Sequence, residues 1–180
     1  AMVEVALKGS SSWLGAGERM IQAIAGQVRA LKIVVEEKWE VRVLTSSAVF
    51  PWLVSHAAWT HNRFQPVQGS THYMSIYGHD YRGDVHEFTE PVMARVSILS
   101  NAKLDPRWAI GIWLGKTTDS DEHIVATNER IVFARSVTTL PAVEVPADLY
   151  ANVMKWTPGV VEGRARGRER GGELLDEGAG

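Results

Sequence analysis

Cysteine is absent from this 180-residue chain, which removes disulfide frameworks, thiolate clusters, cysteine-bearing zinc sites and cysteine nucleophiles from consideration. That composition suits a reducing compartment. Long hydrophobic runs are also missing: the apolar stretch 48–54 falls far short of the roughly eighteen residues that a membrane-spanning helix needs. No basic-then-apolar signal segment opens the chain, so the expectation is a soluble, intracellular protein without membrane contact. Neither sign of charge is in marked excess. A formal net charge of −2 carries none of the basic excess of a dedicated nucleic-acid binder, so any such contact must be local.

What is present is apolar material. Hydrophobic residues make up 45% of the chain, enough for one ordinary domain or two small ones. Seven tryptophans are spread from Trp13 to Trp156, a distribution that suits core packing.

The residues 2–7 alternate and read as a strand, and Gly9-Ser10-Ser11-Ser12 reads as a turn before a helix. Gly17, Ile21, Ile24, Val28, Leu31 and Val35 then recur at spacings of four and three, one stripe of a helix of about twenty residues. A polar, strand-like stretch at 41–44 follows. Phe50-Pro51 opens a second helix, along which Trp52, Leu53, His56, Trp59 and Arg63 run at helical spacing. Residues 71–77 read as a short third helix closed by Gly78. After Asp84 the period changes. The segments 85–98, 109–115, 123–127 and 131–137 alternate or are β-branched and are separated by turn-forming residues, which predicts a small antiparallel barrel. Beyond Thr157 the Gly-, Arg- and Glu-rich sequence offers too little apolar surface to fold.

Several motifs, in order, carry a resemblance. Gly9-Ser10-Ser11-Ser12-Trp13-Leu14-Gly15-Ala16-Gly17-Glu18-Arg19 is similar to the last catalytic motif of DDE-type integrases, a Ser/Gly turn leading into a helix with an acid in its first turn. Ala57-Ala58-Trp59-Thr60-His61-Asn62-Arg63-Phe64, Gly69-Ser70-Thr71-His72-Tyr73 and Tyr77-Gly78-His79 resemble the helix and the two short motifs that follow in copia-type retrotransposon integrases. Phe88-Thr89-Glu90-Pro91-Val92, Lys103-Leu104-Asp105-Pro106-Arg107, Gly111-Ile112-Trp113-Leu114-Gly115 and Arg135-Ser136-Val137 resemble that family's SH3-like domain. His72 stands where the family has proline, and Thr89 where it has glycine.

The resemblance implies an α+β chain: truncated ribonuclease H-like helices of an integrase core over 1–80, a small SH3-like antiparallel β-barrel over 81–145, and a disordered tail or linker over 146–180. It implies DNA as partner, with other integrase chains or the rest of the Pol polyprotein as further candidates, and a nuclear location. It also implies Glu18 as a catalytic and metal-binding residue for Mg²⁺ or Mn²⁺.

Strand transfer is a displacement at phosphorus assisted by two divalent cations about 4 Å apart, and such hard cations need several oxygen ligands. Glu18 has few companions, since Glu4 is the one acid before it and Asp80 is the first aspartate. The chain by itself is therefore expected to be catalytically silent. Gln22, Arg29 and Lys32 follow along the same helix, near enough to Glu18 to meet a phosphate backbone; an ordinary solvated face would look the same. The six histidines lack metal-site spacing, with His56 and His61 on different helix faces. Arg164, Arg166, Arg168 and Arg170 are offset by Glu162, Glu169, Glu173, Asp176 and Glu177, as in a flexible connector. The alternative to an integrase fragment is a non-catalytic nucleic-acid- or protein-binding module.

Overall fold

A computed structural model of the chain describes residues 10–96 and 107–154. The expected strand at 2–7, the motif at 103–106 and the Arg-containing tail beyond 154 lie outside the described residues. Over the described part the fold is α+β.

Helix α1 runs from Ser10 to Trp39. It begins earlier than the sequence suggests, so Ser10, Ser11 and Ser12 are helical rather than a turn. Extending a nucleated helix costs little per residue, and Trp13, Leu14 and Ala16 continue the helix-compatible run. Glu18 thus lies about two turns in and outside the first turn, which holds no acid; the helix dipole, felt mainly in the first turn, gives no reason for an acid there. The helix stops at Glu40, whose φ of 51° is left-handed.

The expected strand at 41–44 is irregular instead. Its backbone donors are taken by side chains: Val43 N–H donates to Glu36 Oε1 at 2.8 Å and Leu44 N–H to Ser47 Oγ at 2.9 Å, leaving less for a strand partner to satisfy.

Helix α2 spans Phe50–Phe64 with Pro51 in its first turn, as its sequence predicts. A two-residue turn, Gln68 and Gly69 at φ 55° and 88°, joins β1 (Pro66–Val67) to β2 (Ser70–Thr71), the doubly positive geometry of a tight hairpin. Helix α3 is His72–Tyr77; Thr71 accepts from Met74 N–H, and Gly78 closes it at φ 77°, the predicted left-handed cap.

Five strands follow: β3 (Pro91–Arg95), β4 (Trp108–Lys116), β5 (His123–Thr127), β6 (Ile131–Ala134) and β7 (Val137–Thr139). They form one sheet in the order β6-β5-β4-β3-β7, with every neighbouring pair antiparallel. The sheet is not closed, where the sequence predicts a barrel. Strands β3 and β6 approach each other without pairing. Two segments differ from expectation: 85–90 precedes β3 as an irregular run in which Thr89 adopts φ 66°, and 131–137 divides into β6 and the start of β7.

Alternation along the strands sorts two cores. Ile112 and Leu114 of β4, with Ile124 and Ala126 of β5, join Val35, Val43, Val49 and Leu53 against the helices. Trp113 and Val125 point the other way, into a smaller cluster with Val92, Ala94, Val132 and Ala134. Every residue of β5 is buried, as befits a strand covered on both faces.

The larger core crosses both expected domain limits. It draws on helices before residue 80 and strands after 81, and it extends past 146 to α4 (Leu149–Met154). Leu149, Tyr150 and Val153 are buried there, and Tyr150 stacks on Trp39 with ring centroids 4.2 Å apart. The segment assigned by sequence to a disordered tail therefore starts with a docked helix. Spaced i, i+1 and i+4, these three side chains form one apolar face, and burying each is worth about 2 kcal/mol. No helix among the described residues is long and apolar enough to cross a membrane.

Candidate nucleic-acid interface

The four site residues named from sequence all lie on α1. At about 100° per residue, Glu18, Gln22, Arg29 and Lys32 fall within an arc of about 80° that runs for about 20 Å along the helix. Glu18, Gln22 and Arg29 are exposed. Lys32 is partly covered and lies 3.5 Å from Glu36 Oε1, the same oxygen that accepts from Val43 N–H. A phosphate would have to compete with Glu36 for that ammonium, although a half-exposed i, i+4 pair is a weak competitor.

The apolar stripe beside them is only partly used. Val35 is fully buried, and Val28, Leu31 and Trp39 pack against the larger core. Ile21 is 69% exposed, and Ile33 and Val34 also face solvent. Among the described residues the helix is thus fastened by its C-terminal half, and Glu18 and Gln22 on the outer half are exposed.

For the Mg²⁺ or Mn²⁺ that the resemblance implies, Glu18 supplies one carboxylate. No group of three or more His, Asp or Glu side chains placed to hold a metal ion occurs among the described residues. One exposed carboxylate does not organise a hard cation that needs several oxygen ligands.

A second cluster lies where α2, α3 and the β4–β5 loop meet. Arg63, on the last turn of α2, is buried, with its guanidinium carbon 4.2 Å from the Trp59 ring centroid, 5.3 Å from Tyr81 and 5.4 Å from Tyr73. The Tyr81 hydroxyl donates to both Asp121 oxygens at 2.8 and 3.0 Å, and the buried Lys116 ammonium donates to Asp121 Oδ2 at 2.8 Å. Burial and this carboxylate push the Tyr81 phenol up from its ordinary range. A Cβ at Gly83 would run into the Tyr81 hydroxyl, so the bare backbone there leaves room for the Tyr81–Asp121 contact.

The third cluster surrounds Trp113. Its indole N–H donates to His123 Nδ1 at 3.0 Å, and His56 meets the ring edge-on at 5.2 Å while stacking on Phe88 at 5.1 Å. Burial lowers His56 to about 4. Burial, then Lys116 and His86, lower His123 to about 4 against the opposing pull of Asp121 and Asp84. Both rings are therefore neutral at pH 7. His86 Nδ1 lies 3.5 Å from Glu90 Oε2. Burial raises the Glu90 carboxyl, but hydrogen bonds from the Thr139 hydroxyl and Glu87 N–H, together with His86, outweigh it and leave the carboxyl below its usual range.

Sequence reading placed Arg63 on a helix without a role and treated the histidines as packed or surface residues. His56, His61 and His123 are buried, whereas His72 and His79 are exposed. The one local signal for the Arg63 cluster is the i, i+4 spacing of Trp59 and Arg63; its other members come from remote segments. Comparison with family models, curated sequences and solved structures finds no match.

Proposed function

We propose that this chain is the trailing part of a copia-type retrotransposon integrase, with the last helices of a ribonuclease H-like core followed by an SH3-like domain, and that it contacts DNA without performing strand transfer by itself. One observation carries the assignment: from α2 onward the motifs that resemble the family keep their order and lie on the elements expected of them, whereas the first departs, with Ser10–Ser12 helical and Glu18 beyond the first turn. Glu18-Arg19 lies on the long first helix. Asn62-Arg63 lies at the end of the second, Thr71 caps the third and Gly78 ends it, and Gly111-Ile112-Trp113-Leu114-Gly115 forms most of the central strand. Glu18 and Gln22 on the outer half of α1, with Arg29 further along the same exposed face, supply the face that would lie along a phosphate backbone. Strand transfer would need further oxygen ligands beside Glu18 to hold its cations.

The test is fluorescence anisotropy with a short DNA duplex at several salt concentrations, for the wild type and for Arg29→Ala/Lys32→Ala. Affinity should fall with salt, and the slope of log K against log salt should flatten by about two in the double variant, one for each phosphate contact removed. Affinity indifferent to salt, or a variant identical to the wild type, would refute the DNA-contacting role. Strand transfer of a duplex in Mg²⁺ or Mn²⁺ by the chain alone would refute its silence.

A further inference from the structure

Arg63 carries a feature that the α1 face leaves unexplained. Its side chain is nine-tenths buried, and its guanidinium is surrounded by the rings of Trp59, Tyr73 and Tyr81. Cation–π contact is made through ring faces, whereas the five N–H donors of a guanidinium lie in its own plane. Among the described residues no carboxylate pairs with the charge, and Nε is fully enclosed without a hydrogen-bond partner. Asp121, the acid of the same cluster, is engaged by Tyr81 and Lys116. Buried donors without acceptors are rare in folded proteins, and each is costly.

We propose that Arg63 anchors a phosphate of a single-stranded nucleic acid, with the adjoining base resting on Tyr73 and Tyr77. A planar guanidinium fork matches two oxygens of a phosphate, which names the anion. The neighbouring rings name the polymer: Tyr73 and Tyr77 have centroids 4.5 Å apart, Tyr77 is 58% exposed, and Tyr73 lies 5.4 Å from the guanidinium. A cation next to an aromatic pair with one ring exposed is the pairing that holds unstacked nucleotides, and a base must leave its duplex to reach such a ring. This site shares its ligand class with the α1 face and none of its residues, so either can fail alone.

The experiment titrates a single-stranded oligothymidylate of about ten nucleotides into the full chain, read by tryptophan fluorescence, with inorganic phosphate as a second probe. Trp59, against Arg63, should report both ligands, with phosphate the weaker. Arg63→Met keeps the stem and loses the donors; it should weaken oligonucleotide binding by about tenfold or more and leave duplex binding at α1 unchanged. Tyr77→Ala should weaken the oligonucleotide and not free phosphate. Should Arg63→Met fail to fold, the Arg63 Nε–H resonance of the wild type gives the answer, since it should shift when either probe is added. An Nε–H signal that stays in place, or equal oligonucleotide affinity in Arg63→Met, overturns the proposal. Binding of phosphate with no gain from the oligonucleotide overturns the nucleic-acid assignment.

Discussion

Acid should loosen this protein through His56, and the size of the effect follows from where the ring sits. The side chain is 6% exposed, packed on Phe88 and against the edge of Trp113, with Nδ1 lacking a partner among the described residues. Burial holds its native pKa at about 4, against 6.5 in the open chain. Above pH 6.5 both states are neutral and His56 adds no pH dependence. Between 6.5 and 4 the unfolded chain binds a proton that the native one refuses, so stability falls as pH drops. The loss from this one residue is about 2 kcal/mol at pH 5 and about 3 kcal/mol once pH is below 4. His123, lowered in the same direction, adds to the slope. Urea unfolding between pH 7.5 and 4.5, followed by tryptophan fluorescence, measures it. His56→Phe replaces the ring by an apolar one and should remove about half of the acid sensitivity while costing little at pH 7, since an unsatisfied buried polar atom is lost. A variant whose urea midpoints track the wild type across the whole pH range would refute the reasoning.

Two further outcomes are expected. Gly111→Ala places a Cβ 2.5 Å from the Ala126 carbonyl oxygen and 2.6 Å from Val125 Cγ1, inside the β4–β5 pairing; overpacking of this kind costs about 1–3 kcal/mol, and a thermal melt within a degree of the wild type would contradict it. Trp39→Phe removes the 3.0 Å hydrogen bond from the indole N–H to Thr89 Oγ1 and leaves a fully buried hydroxyl without its donor. It should cost about 1–3 kcal/mol, and adding Thr89→Val should recover part of that loss; no recovery in the double variant would show that the bond is not the cause.

The helices were legible where local chemistry decides them. Pro51 at the start of α2, Thr71 at the cap of α3 and Gly78 at its end each act within a turn of their own position, so sequence spacing is sufficient information. The run at 41–44 reads as a strand but is irregular, because Glu36 and Ser47 capture its donors, a contest visible only once the chain has turned back on itself. Leu149, Tyr150 and Val153 were hidden by the polar composition that follows them, and what fixes them, the Trp39 ring, is over a hundred residues away. The candidate sites divide the same way. The α1 face is periodic and could be read directly, whereas Arg63, Tyr73, Tyr81 and Asp121 are joined by tertiary folding and share no spacing rule.

Anchorage of α1 at one end makes it a lever. Thirty residues of helix form a rod of about 45 Å, gripped along Val28, Leu31, Val35 and Trp39 and exposed around Glu18, with no further grip there among the described residues. A load applied at the free end is passed as torque to the grip, where Trp39 touches both Thr89 and Tyr150. Whatever seizes the outer turns will therefore be felt at the seam between the sheet and the last helix, far from the point of contact.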